Sequence, residues 1–359
     1  MTTLRMLLHV AAQRDYELHS LNFSTAFLQG SLHEEIWLRR PPGFTESFSA
    51  GTQWSLRRLV YGLRQAPRDW HNTLRTTIAA LGFAPSSSDP SLFLRIDTTL
   101  PPFYILMYVD NLVFSTGDTE VLTLVKAELQ ERHTCTDMGE LRSYLGLQIT
   151  RDTCCTRSFS TSASSSPRHS PLLCLPATRS QLHLWTSPTS GMGLVLGGRG
   201  SMVLTRHSDA SWADDQATQR SSQGYTFSLG SGSISWRSTR SFYLLGSSSE
   251  AEIYAGAMAA QELRWLTYLL IDLGKGPRSP PVLYVDIKTM LALCHEQRRE
   301  HRTKHIAREL QQRRQLRLSY MASQANTADV FTKVLGSGDH QHFCTALGLV
   351  PTLPHLLVA

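Results

Sequence analysis

Residues 103–115, FYILMYVDNLVFS, constrain the chain most tightly. Two apolar runs flank Asp110-Asn111, so they read as paired strands joined by a short turn. Asp-Asn is ordinary turn chemistry, and a plain hairpin satisfies the stretch. The other reading is an acidic residue held at a hairpin tip, where it can face a divalent metal.

The flanking stretches decide between these readings. Upstream lie residues 21–43, LNFSTAFLQGSLHEEIWLRRPPG, and 60–70, VYGLRQAPRDW; downstream lie 136–149, TDMGELRSYLGLQI. In this order and spacing they resemble the reverse transcriptase of copia-type retrotransposons, and the pattern YGLRQ-x-PR-x-W is long and specific. The resemblance implies an α/β protein: an α+β palm-like reverse-transcriptase domain over 1–152, a Ser/Pro-rich linker or deletion scar over 153–200, an RNase H-like α/β domain over 201–335 and a tail over 336–359. It also implies magnesium or manganese as cofactor. Where the family has Asp, this chain has Asn22 and Asn111, so Asp110 alone remains of three metal-binding carboxylates. Asn can coordinate through its carbonyl but brings no charge, and hard cations favour carboxylates. RNA-directed DNA polymerase activity is therefore expected to be lost.

Further roles follow from the resemblance, each beside a plainer one. Phe27, five residues beyond Asn22, matches the steric gate that selects deoxynucleotides; it also suits a core aromatic at a strand end. Gln65 falls in the nucleotide-contacting loop, and Arg64 and Arg68 can meet phosphates or simply face solvent. A helix is expected from near Pro67, with Trp70, Leu74, Ile78 and Leu81 on one face and Gly82 at its end. Leu4, Leu7, Leu8 and Ala11 mark a helix over 4–14, followed by a strand ending near Asn22. Asp118 is expected to cap a helix whose face carries Val121, Leu124, Val125 and Leu129. Residues 141–149 resemble the strand that grips the primer, with Gly146 allowing close backbone approach or marking a bend. The 21 residues before Asn22 are far fewer than the family's fingers segment, and no thumb is recognisable.

Residues 153–190 are dense in Ser, Pro, Thr and Arg without a clear period, which favours loop or disorder. The familiar pattern resumes at 189–198. Strands are expected over 202–209, 225–229, 234–238, 282–286 and 316–321, with a long helix over 247–273. The patterns SDASWADD, SSSEAE, YVDIK and ANTADVFTK resemble the family's RNase H domain and carry its site onto Asp209, Glu252, Asp286 and Asp329. Four such groups hold two metals about 3.5–4 Å apart and cut RNA in an RNA–DNA hybrid. Each has a local alternative: Glu252 completing a capping box with Ser249, Glu250 as its rival, Asp329 as a helix-start carboxylate. Asp214 and Asp215 are expected to face solvent. Ile287 stands where Asn is usual, 241–246 is unlike the usual lead into the helix, and the helix after 302–306 is about one and a half turns short. Residues 298–317 hold eight Arg or Lys, including Arg298, Arg299, Arg302 and Lys304; they form a solvated face or a phosphate-binding surface.

Composition bounds the rest. The chain has 359 residues, 41% hydrophobic, with net charge +6 and a pI near 9.1, which suits nucleic acid without requiring it. The six cysteines form no C-x-x-C pair and read as reduced thiols of an intracellular protein, cytoplasmic or nuclear. No apolar run approaches the roughly 18 residues of a membrane span, and the N-terminus is a poor signal peptide. The expected partner is an RNA–DNA hybrid or other nucleic acid. The competing readings are a non-catalytic nucleic-acid-binding module and a retroelement remnant.

Overall fold

The computed structural model describes residues 1–39, 53–152, 172–176, 192–197, 204–230, 232–277, 279–286 and 316–351. Helix α1 (Thr2–Arg14) opens the chain and stops at Asp15, whose φ of 55° is left-handed. Two compact units follow from the contacts: Glu17–Leu141, and Met1–Tyr16 together with Arg142–Ala359. The division thus differs from the domain boundary expected at 152, and it sets α1 with the second unit.

The unit Glu17–Leu141 contains β1 (Glu17–Phe23), β2 (Trp37–Leu38), β3 (Trp54–Ser55), α2 (Ala66–Ala80), β4 (Phe83–Pro85), β5 (Leu92–Arg95), β6 (Phe103–Tyr108), β7 (Asn111–Thr116), α3 (Thr119–Arg132) and β8 (Cys135–Glu140). Six strands form one antiparallel sheet in the order β4-β5-β6-β7-β1-β8. β6 and β7 are buried along almost their whole length, which is why their sequence is continuously apolar rather than alternating. Trp70, Leu74 and Ile78 recur at helical spacing on α2 and enter a core with Phe23, Phe83, Phe103 and Phe114. Gly82, at φ +86°, lets the chain turn after α2. Asp118 caps α3 by accepting the amide hydrogen of Val121. The buried face of α3 is Leu122, Val125 and Leu129, while Leu124 is 69% exposed. The expected face was thus out of phase at one position: 122, 125 and 129 step by three and four, as a helix stripe must.

The second unit adds β9 (Ser143–Tyr144), β10 (Leu147–Gln148), β11 (Thr150–Asp152), β12 (Leu172–Pro176), β13 (Met192–Gly197), β14 (Leu204–Ser211), β15 (Ser222–Leu229), β16 (Gly232–Arg240), α4 (Ser248–Asp272), β17 (Val282–Val285), β18 (Arg317–Tyr320), α5 (Ser337–Ala346) and β19 (Leu349–Pro351). A five-stranded mixed sheet runs β16-β15-β14-β17-β18, antiparallel from β14 through β15 to β16 and parallel from β14 through β17 to β18. A second sheet runs β11-β12-β13-β19. α1 is buried on all sides: Arg5 donates to the Ile234 carbonyl and stacks 3.9 Å over Trp236, and His9 accepts the Gly197 amide hydrogen.

Three sequence expectations change here. Residues 141–149 are not one strand but the hairpin β9–β10, because Leu145 and Gly146 both take positive φ, 50° and 78°, and reverse the chain. Inside the Ser/Pro-rich stretch, β12 pairs with β11 and β13; its LLCLP sequence is an apolar island in a polar segment. Residues 336–359 do not begin as a tail, since α5 and β19 belong to the fold and β19 pairs with β13. The expected helix after Asp286 lies outside the described residues. Among the described residues no helix is long and apolar enough to cross a membrane.

A short 3₁₀ turn, Thr327–Phe331, lies against β15. Gly224 permits this approach: a Cβ there would sit 2.8 Å from the Phe331 Cβ and 3.0 Å from the Thr332 Cγ2. Gly224→Ala should therefore lower stability by about 1–3 kcal/mol, read as a fall in Tm; an unchanged Tm would show that the turn shifts freely.

Candidate metal centre

The acidic centre is assembled by β-sheet register. On the parallel pair β14–β17, His207 lies opposite Tyr284. Two residues further along each strand direction stand Asp209 and Asp286, on the same face because side chains repeat every second residue. Asp329 comes from the 3₁₀ turn, which Asn326 ties to β14: its amide donates to the Ser208 carbonyl at 2.9 Å and its side-chain oxygen accepts the Ala328 amide hydrogen. Carboxylate oxygens of Asp209, Asp286 and Asp329 all lie within 4.8 Å of one another.

Glu252 stands beside this trio on the first turns of α4. The cap of α4 is Ser247, which accepts from the Glu250 amide, while Glu250 accepts from the Gly246 amide. Glu250 is thus occupied at the helix start, and Glu252 does not close a capping box with Ser249. Glu252 Oε1 instead accepts the Ala210 amide hydrogen at 3.0 Å. Asp214 and Asp215 are taken up by Ser222, Thr218 and Arg240 around the β14–β15 connection. Three residues not singled out from sequence complete the centre. Thr332 donates its hydroxyl to Asp209, and Lys333 Nζ lies 3.1 Å from Asp209, 3.0 Å from Asp329 and 3.9 Å from Asp286. They and Asn326 lie in the motif ANTADVFTK, but only the fold shows that they converge.

Burial governs the protonation of the centre. Asp209 is fully buried, Glu252 is 3% and Asp329 6% exposed. Burial, then repulsion from Asp329 and Asp286, raises Asp209 to about 7. Burial, then Asp209 and Asp286, pushes Glu252 up to about 9. Asp286 is raised as well, chiefly by burial. Glu252 Oε2, Asp286 Oδ1 and Asp329 Oδ1 are buried without a hydrogen-bond partner. Orphaned carboxylate oxygens converging from three elements fit a divalent cation such as magnesium or manganese.

The hairpin tip is arranged differently. Asn22 and Asn111 are opposed across β1 and β7. The Asn22 amide donates to the Asn111 oxygen at 3.1 Å, and the Asn111 amide donates to Asp110 Oδ1 at 2.7 Å. The three positions therefore satisfy one another in a chain that carries one formal negative charge. Val109 takes φ 53°, a strained conformation for a β-branched residue, and the Trp70 indole holds its carbonyl at 2.6 Å. Phe27 is 7% exposed within the core and packs 4.6 Å from Tyr61. Gln65 is half-buried at the start of α2; Arg64 and Arg68 are exposed, and Arg68 lies 3.4 Å from Asp69. Arg298, Arg299, Arg302 and Lys304 lie outside the described residues.

The raised carboxylates set a pH dependence. Asp209 and Glu252 have folded pKa values above their unfolded ones, so their stabilising effect is complete in acid and is lost as pH rises through about 7 and about 9. Metal-free protein in chelator should melt at progressively lower temperature between pH ~5 and ~9, and Glu252→Gln should flatten the upper part of that fall. Parallel Tm curves for the two proteins would contradict this assignment.

The retrovirus-related Pol polyprotein from transposon RE2 of Arabidopsis thaliana is 29% identical over 422 residues, covering 98% of this chain and 29% of that protein. The Pol polyprotein from transposon TNT 1-94 of Nicotiana tabacum is 24% identical, covering 93% of this chain and 31% of that protein. The chain thus spans less than a third of these relatives' length. The 422 aligned positions exceed its 359 residues, so the relatives carry residues between matched blocks that this chain lacks. A solved foamy viral protease-reverse transcriptase in complex with dsDNA is 15% identical, with a TM-score of 0.39 over 90% of this chain and 68% of that one. Residues 1–162 match the family described as reverse transcriptase (RNA-dependent DNA polymerase), and the likeness to retrovirus-related Pol polyproteins of transposons runs along nearly the whole chain.

Proposed function

We propose that the second unit is an RNase H-type nuclease that cuts the RNA strand of an RNA–DNA hybrid, and that the palm-like unit no longer polymerises DNA. The observation that carries the first part is the convergence of Asp209, Asp286 and Asp329 oxygens within 4.8 Å, with Glu252 beside them. Divalent ions bound there would activate a water and steady the departing ribose oxygen. The chain's own part is to hold the carboxylates on three different elements, exclude bulk water from Asp209 and Glu252, and keep unpaired oxygens facing inward. Because Asp209 and Glu252 hold protons to about 7 and about 9, cation binding should release protons. Recognition of a hybrid would come from backbone shape and 2′-hydroxyl contacts. The net charge of +6 suits such a polyanion.

The second part rests on the hairpin tip. Loss of two carboxylates removes the charge that would gather metal, and the remaining Asp110 is engaged by the Asn111 amide.

Labelled RNA–DNA hybrid should be cut by the full chain with magnesium or manganese, and Asp286→Asn should reduce cutting roughly 100-fold or more. A folded wild type that leaves the hybrid intact would end the nuclease reading. The Asn22→Asp, Asn111→Asp double variant should still fail to extend a primer processively; long products from it would end the polymerase reading.

A further inference from the structure

Lys333 has no task in hydrolysis by bound metal ions. It follows the 3₁₀ turn, where its amide donates to the Asp329 carbonyl at 2.9 Å. Its ammonium then reaches Asp209 at 3.1 Å, Asp329 at 3.0 Å and Asp286 at 3.9 Å, and also donates to Ser323 Oγ at 3.3 Å. The three carboxylates it touches are the same three whose oxygens lie within 4.8 Å of one another. One positive charge thus serves the whole trio.

Two features make this contact reversible. The side chain is 33% exposed, whereas Asp209 is 0% and Asp329 8% exposed at the side chain. The carboxylates are fixed by sheet and turn, but the ammonium sits on a flexible four-carbon stem that opens to solvent. A divalent cation would need the same three carboxylates whose Asp209 Oδ1, Asp286 Oδ2 and Asp329 Oδ2 atoms face the ammonium, and the two cations repel each other at this range.

We propose that Lys333 is a built-in counter-cation: it neutralises the Asp209–Asp286–Asp329 trio when no metal is present and is displaced when a divalent ion enters. The inference rests on the trio being a metal site. It assigns Lys333 a positioning role, setting metal affinity and the stability of the metal-free site in opposite directions. A lysine that merely braced the turn would affect both in the same direction.

The test uses the full chain and Mn²⁺ alone, with free ion followed by its electron paramagnetic resonance signal. Lys333→Gln should bind Mn²⁺ roughly tenfold tighter than wild type while melting at a lower temperature in chelator. Lys333→Arg, which keeps the charge, should restore the metal-free Tm and the weaker affinity. Equal or weaker Mn²⁺ binding by Lys333→Gln, with wild type still binding, would overturn the lysine's role and leave the metal site standing. No Mn²⁺ binding by either protein would overturn both. A second measurement needs no variant: acetic anhydride labelling of Lys333 in wild type, read by peptide mass spectrometry, should rise severalfold when Mn²⁺ is added. Unchanged or reduced labelling would also overturn the displacement.

Discussion

Crowding of carboxyl groups in a dry recess is the constraint around which the second unit is arranged. Two unit charges about 4 Å apart repel by about 4 kcal/mol at an effective dielectric near 20. Three carboxylates within 4.8 Å, with Glu252 alongside, cannot all be charged there without compensation. The fold supplies it from close range: the Ala210 amide, the Thr332 hydroxyl and the Lys333 ammonium. Each donor is placed by the same elements that place the acids. β14 brings Asp209 and Ala210, and the turn Thr327–Phe331 delivers Asp329 and, just beyond it, Thr332 and Lys333. Gly224 lets that turn lie close enough to β15 for both functions.

The hairpin in the other unit has no such crowding, with two Asn beside one Asp at its tip. Amides at positions 22 and 111 join Asp110 in a hydrogen-bonded chain. The backbone there keeps its strain, with Val109 at φ 53° under the Trp70 indole. A tip that closes its own hydrogen bonds has little need of a cation.

Much of this was legible in the residue order because it depends on short-range periodicity. The apolar runs of β6 and β7, the Trp70–Leu74–Ile78 stripe and the Asp118 cap are local patterns of a strand, a helix and a helix start, whereas the four acids were marked by the family resemblance and not by spacing. Leu124 was misplaced because a stripe with neighbouring apolar residues admits two phases, and only the packing of Leu122 selects one. Residues 141–149 looked like one strand because apolar alternation does not reveal that Leu145 joins Gly146 at positive φ. β12 was hidden by its surroundings: five residues cannot be told from a polar stretch by composition when their partners lie far along the chain. The A-E-x-x-A frame favoured Glu252 over Glu250 from sequence, and the cap at Ser247, which engages Glu250, supplies the physical reason.

The amino-acid sequence by itself determined the resemblance to copia-type reverse transcriptases, the hairpin, the amides at positions 22 and 111 and which acids were candidates. Those properties reside in residue identity and in spacings shorter than one element. Only the tertiary structure decided that α1 joins the second unit, that three acids meet while Glu252 stands beside them, and that Lys333 faces all three. Such contacts join residues as far as 124 positions apart, as Lys333 and Asp209 are, and sheet register rather than local pattern brings them within reach of one another.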